Sequence, residues 1–200
     1  MRRLTLAVLP LVVFGCGPTS APSGATPGNS NPLQTAKKSD KPTVDELKAS
    51  LKSLTVKEAQ EKYGKPVFYM AENNVYAIGF AGVTVDKDGK PDDITIFGFT
   101  EKGELYTDDK GVPGVVAMKK SDPIPEGKQV SRDDMKKAIL GRPPEEVKRV
   151  LGSPEETSDF GSTQVWKYKP RTLDTNSNKP DTTFIVNFAD GFCSRLTMTN

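Results

Sequence analysis

The chain has 200 residues, with 28 Lys and Arg against 26 Asp and Glu for a formal charge of +2, two cysteines and no histidine. A balance this even gives no ground for steering towards nucleic acid or an acidic surface. Without imidazole, the commonest general base, nucleophile activator and zinc ligand are all missing, so the expectation is a non-enzymatic protein with no catalytic residue, metal or cofactor.

Arg2 and Arg3 precede an apolar run over residues 4–14 that is broken only by Thr5 and Pro10 and ends on Gly15-Cys16. That order of charge, apolar stretch and small residue reads as an export signal, too short for a permanent membrane helix. Val13-Phe14-Gly15-Cys16 resembles the lipobox of bacterial lipoproteins, although Phe14 stands where a small residue is usual. The resemblance implies that Cys16 receives a diacylglycerol, is exposed by cleavage and is then acylated, anchoring the protein in the cell envelope with the outer membrane as the expected site. Two or more acyl chains suffice for firm anchoring at about 0.8 kcal/mol per buried methylene. Residues 17–42 are mostly Pro, Ser, Thr, Gly, Asn and Lys, which bury too little to offset ordering and so read as a flexible tether. With Cys16 lipidated, Cys193 is left without a partner for an intramolecular disulfide.

The remaining residues carry a repeat. Residues 43–66 laid over 131–154 without a gap match Asp45 to Asp133, Lys48 to Lys136, Glu58 to Glu146, Gly64 to Gly152 and Pro66 to Pro154. Thr43-x-x-Glu46 and Thr55-x-x-Glu58 are capping boxes, and Val44, Leu47, Leu51 and Leu54 form a helical apolar stripe. In the second copy Ser131 opens a helix, and Pro143 and Pro144 open another where the first-turn amides need no partner. Gly64 and Gly152 should end their helices in a left-handed conformation. Strand patterns follow over 67–70, 75–80 and 94–99, then over 164–168, 182–188 and 192–198, the last two joined by Ala189-Asp190-Gly191. The expected fold class is therefore α+β, two repeats at 43–106 and 131–200, each with two short helices packed on one face of an antiparallel sheet, joined by a linker at 107–130.

Ile139-Leu140-Gly141-Arg142-Pro143-Pro144-Glu145-Glu146-Val147, Val150-Leu151-Gly152-Ser153-Pro154, Gln164-Val165-Trp166-Lys167-Tyr168 and Phe188-Ala189-Asp190-Gly191 together resemble the SmpA/OmlA (BamE-like) lipoprotein domain. The tandem organisation is similar to that of the β-lactamase inhibitor protein. The resemblance covers 131–198 well and 43–106 loosely. It implies a non-enzymatic envelope protein that binds a partner protein, as in outer-membrane assembly or maintenance. A periplasmic inhibitor or sensor of a hydrolase, and a carboxylate-dependent hydrolase, remain the alternatives. The two copies and the long tether depart from the SmpA/OmlA pattern, and no binding residue carries over from it.

The candidate chemistry is sparse. Asp86-Lys87-Asp88-Gly89-Lys90 lacks the ligand spacing of a calcium loop and reads as a solvated turn. Alternation along the strands assigns Tyr76, Ile78, Phe97, Phe99, Trp166, Tyr168, Phe184, Val186 and Phe188 to the helix-packed face. The other face receives Val75, Ala77, Ile94, Ile96, Val165, Lys167, Ile185 and Asn187, with Cys193 and Arg195. From that set, Ile94, Ile96, Val165, Lys167, Ile185 and Arg195 are the candidate partner-binding residues. Such an apolar face is either an interaction surface or buried between the repeats.

Overall fold

Thr43 and Thr55 each start a helix by the same exchange of hydrogen bonds. In the computed structural model, which describes residues 40–200, Thr43 Oγ1 accepts from Glu46 N at 3.3 Å and Glu46 Oε2 accepts from Thr43 N at 2.8 Å. Thr55 and Glu58 repeat this at 3.2 and 2.7 Å. The boxes open α1 (Val44–Ser50) and α2 (Val56–Tyr63). The strands β1 (Phe68–Glu72), β2 (Val75–Ala81), β3 (Ile94–Thr100) and β4 (Val115–Met118) then form an antiparallel sheet in that order. After β5 (Val130–Ser131), α3 (Arg132–Ile139) starts on the Ser131 hydroxyl, which accepts from Asp134 N at 3.0 Å, and α4 (Pro144–Leu151) starts on the proline pair. The chain ends with β6 (Glu156–Asp159), β7 (Thr163–Tyr168), β8 (Thr172–Asp174), β9 (Lys179–Pro180), β10 (Thr183–Ala189) and β11 (Phe192–Thr199). A second antiparallel sheet has the order β11-β10-β7-β6, and a small third sheet has the order β5-β8-β9, with β5 and β8 parallel.

This architecture corrects the expected fold class. Among the described residues, eleven strands in three sheets dominate, and the four helices are only seven or eight residues long. The fold is mostly antiparallel sheet and is not two copies of a helical pair laid on one sheet. The extra strands escaped the sequence reading because they carry no period-two apolar signal. β6 is wholly exposed, β5, β8 and β9 have two or three residues each, and β4 lies inside the span 107–130. Gly64 and Gly152 do have positive φ, 88° and 80°, but ψ of −155° and −164° places them in the extended region that glycine alone enters, not in the left-handed helix. The signal segment and Cys16 lie outside the described residues. Of the span 17–42 only 40–42 are described, and there Pro42 O accepts from Val85 N at 3.0 Å.

Three apolar clusters hold the described part. Leu47, Leu54 and Ala59 pack with Ile78, Phe80, Phe97, Phe99 and Val115. Met135, Ile139, Val147, Val150 and Leu151 pack with Tyr168, Phe184, Val186, Phe188 and Cys193. The third cluster is small and lies on the other side of the first sheet, where Phe68, Ile94 and Ile96 crowd over Gly79. A Cβ on Gly79 would sit 2.7 Å from Ile94 Cγ2 and 2.8 Å from Phe68 Cβ, so this cluster closes only over a residue without a side chain. Among the described residues no helix is long and apolar enough to cross a membrane.

The link between α3 and α4 joins the two large sheets. Tyr69 N of β1 donates to Gly141 O at 2.9 Å, Gly141 N donates to Cys193 O of β11 at 2.8 Å, and Cys193 N donates to Arg142 O at 2.8 Å. β1 and β11 are sheet edges, and Gly141 and Arg142 of the four-residue link satisfy backbone groups on both. Gly141 has φ of 76°, and a Cβ there would lie 2.6 and 2.8 Å from ring carbons of Phe68. Arg142, only 1% exposed, lays its guanidinium 5.6 Å from the centre of the Phe68 ring. Its Nη2 donates to Lys119 O at 3.2 Å, and burial holds its pKa below the usual arginine value.

A second polar tie anchors the small sheet. Asp181, buried at the end of β9, accepts from Arg132 Nε at 3.1 Å, from Arg132 Nη2, and from Thr172 Oγ1 at 2.6 Å. These bonds, the Arg132 contact foremost, hold the Asp181 carboxyl below the usual aspartate range.

Two outcomes follow for stability. Gly141→Ala and Gly152→Ala both force a side chain onto positive φ, but nothing lies within 4 Å of a Cβ at Gly152. Gly152→Ala should therefore cost only backbone strain, about 1–3 kcal/mol. Gly141→Ala should cost about 1–3 kcal/mol more through its clash with Phe68. Denaturant titration of the pair checks this, and equal losses would remove the packing role of Gly141. Because the folded pKa of Asp181 is depressed, its contribution is present above the unfolded value of about 3.9 and fades as pH falls through the lower folded value. Asp181→Asn should lower stability at neutral pH by about 1–3 kcal/mol and flatten the acid limb of the stability profile below about pH 4.

Candidate functional site

β10 runs through the middle of the second sheet, and its side chains alternate between the two faces. Phe184, Val186 and Phe188 join the helix-side cluster, with Trp166 packed 4.6 Å from Phe188 between ring centres. Ile185 and Asn187 point the other way. Pairing sets Ile185 beside Lys167 on one side and Thr197 on the other, with Glu156 beyond Lys167. The next row is Ser158, Val165, Asn187 and Arg195. Val165, Ile185 and Asn187 are half-buried, whereas Lys167 and Arg195 are exposed. Neither Val165 nor Ile185 belongs to any of the three apolar clusters.

Two apolar side chains, Val165 and Ile185, thus lie on a diagonal across neighbouring strands, with Lys167 beside Ile185 and Arg195 at the far end of the Val165 row. Lys167 Nζ donates to Glu156 Oε1 at 3.1 Å across the strands. Both groups are mostly exposed, so the pair contributes little to stability but holds the ammonium over the face. Such a surface can recognise a partner by apolar contact framed by charge.

The six candidate residues divide. Val165, Lys167, Ile185 and Arg195 share this face, in two adjacent rows. Ile94 and Ile96 do not: they are 1% and 8% exposed, sealed with Phe68 over Gly79. The first sheet is therefore closed on the side read as open, because the α3–α4 link lays Gly141 and Arg142 against Phe68. Cys193 also departs from its expected place. A register shift between Asn187 and Phe188 pairs Asn187 with Arg195 but Phe188 with Cys193, leaving Ser194 as the extra residue. The bulge turns Cys193 into the core, where burial pushes its thiol up to about 12, so it stays protonated and unreactive at neutral pH.

Glu156, Ser158 and Thr197 complete the face and were not read from the sequence. Thr197 follows from the alternation that places Arg195, but the exposed polar run of β6 gives no such signal. Asp86, in the loop once compared with a calcium site, caps its own turn, its Oδ1 accepting from Asp88 N and Lys90 N, both at 2.9 Å. Among the described residues no group of three or more His, Cys, Asp or Glu is placed to hold a metal ion. No protein-family model matches the chain, and no curated protein or solved structure matches it either.

The two faces should answer differently to the same substitution. Ile96→Lys buries a charge in a sealed cluster and should destabilise by about 3 kcal/mol or more. Ile185→Lys meets solvent and should change stability by less than about 1 kcal/mol. Thermal melts of both variants check this. Equal destabilisation would show that the second sheet is covered as the first is.

Proposed function

We propose that this chain is a lipid-anchored cell-envelope protein that works by binding a partner protein and not by catalysis, with the open face of the second sheet as its contact surface. The observation that carries this is the half-buried diagonal pair Val165 and Ile185, sharing two rows with Lys167 and Arg195 on a four-stranded sheet. A surface meant only for water has no need of apolar side chains on a diagonal of neighbouring strands. The envelope setting is supported by the Arg2 to Cys16 pattern and by the resemblance of 131–198 to the SmpA/OmlA lipoprotein domain. A non-catalytic role is supported by a chain with no histidine and a single further thiol held protonated in the core.

Two measurements test the reading. Cys16→Ser should move the protein from the membrane pellet to the soluble fraction, and retention after a high-salt wash would sink the anchor. A photo-crosslinker placed at Ile185 in the native envelope should trap one partner, identified by mass spectrometry, and Lys167→Glu with Arg195→Glu should abolish the product while the protein stays folded. Unchanged capture would move the binding surface elsewhere, and a soluble hydrolase as the product would instead favour an inhibitor role.

A further inference from the structure

Where α4 ends beside β7, the surface opens into a cleft of about 470 Å³, within the size range of small-ligand pockets. Ile124, Val150, Leu151 and Tyr168 give it an apolar wall, and Tyr168 is fixed there by its hydroxyl, which donates to Gly152 O at 3.4 Å. Three cations, Arg149, Lys169 and Arg171, and two carboxylates, Glu126 and Glu155, complete the lining.

Most of these charges are already engaged. Arg149 donates to both carboxylate oxygens of Glu146, at 2.9 and 2.7 Å, and Lys169 lies 3.8 Å from Glu126. Arg171 differs. It is only 8% exposed, and among the described residues its Nε and Nη1 have no hydrogen-bond partner. The nearby acid of the small sheet, Asp181, is committed to Arg132 and Thr172. Arg171 is also held in place, since its carbonyl accepts from Val130 N at 3.0 Å and the next residue begins β8. A buried guanidinium without a partner is costly, and a fold that retains one at the lining of a cleft has a place for an anion.

We propose that this cleft binds a small amphiphilic monocarboxylate, its carboxylate on the Arg171 guanidinium and its apolar body on the Ile124, Val150 and Tyr168 wall. With Arg149 answered by Glu146 and Lys169 by Glu126, Arg171 is the one cation of the lining left open and Glu155 stands at the same lining, which favours a monoanion and disfavours a dianionic phosphate. A planar carboxylate also fits the guanidinium fork. Two sources share this chemistry, a free branched acid and the C-terminus of a peptide ending in an apolar residue. The site is independent of the sheet face proposed above.

Titration calorimetry on the full-length protein with isocaproate, with acetyl-Ala-Ala-Leu and its C-terminal amide, and with inorganic phosphate tests the proposal. Saturable binding of either acid is expected, the stronger one naming the source, with no binding of the amide or of phosphate. Arg171→Gln should weaken that binding by about ten- to a hundredfold. Arg171→Met should keep or raise the melting temperature, because it removes an unpaired buried charge. The proposal is overturned by failure of both acids to bind, by equal binding of the amide or phosphate, by unchanged affinity in Arg171→Gln, or by a lowered melting temperature in Arg171→Met.

Discussion

The contact between the two large sheets depends on two residues of the second half, Gly141 and Arg142. Their backbone bonds run to β1 on one side and β11 on the other, so two sheet edges that would otherwise expose unpaired amides share one short segment. Such an approach is possible only because residue 141 has no Cβ, which would otherwise enter the Phe68 ring. The opposite wall of the same contact makes the same demand. Phe68, Ile94 and Ile96 close over Gly79, which has no Cβ to hold them apart. Two missing side chains, one on each side of a phenylalanine, thus let the first sheet bury Phe68, Ile94 and Ile96 on its second face.

Three buried or part-buried arginines show how differently the fold treats a guanidinium. Arg132 is fully answered by Asp181 and by Asp174, 3.4 Å away, and it ties the start of α3 to the small sheet. Arg142 has one carbonyl partner and an aromatic face, and its other nitrogens go unanswered inside the contact between the sheets. There the packing of the aliphatic stem and the ring offsets part of the cost of the charge. Among the described residues Arg171 has neither acid nor ring as a partner, and it lines a cleft. The same side chain serves as a tie, a wedge or an open binding group according to what surrounds it.

With Ile94 and Ile96 buried on the first sheet, the proposed contact surface falls to the second. A lipid at Cys16 and a polar tether would hold such a surface near a membrane while leaving it free to turn, an arrangement suited to capturing a neighbour in the envelope. Because strands and not loops carry Val165, Lys167, Ile185 and Arg195, their spacing is fixed before a partner arrives, which lowers the ordering cost of association.

Local chemistry alone determined a good deal. Thr43, Thr55 and Ser131 announced helix starts, Gly64 and Gly152 announced their ends, and the apolar alternation of β2, β3, β7 and β10 announced both strands and inward-facing residues, since all of these act within a few residues of themselves. The four candidates on the second sheet follow from the same alternation. Tertiary structure alone decided the rest. The number of sheets could not be read because β5, β6, β8 and β9 are strands only by virtue of what they pair with, not by composition. The place of Cys193 turned on a one-residue bulge that reverses parity without a local mark. Ile94 and Ile96 have the alternation of an open face, and what buries them is Phe68, itself backed by a glycine and an arginine more than seventy residues further along the chain, a contact that no local pattern in either segment encodes.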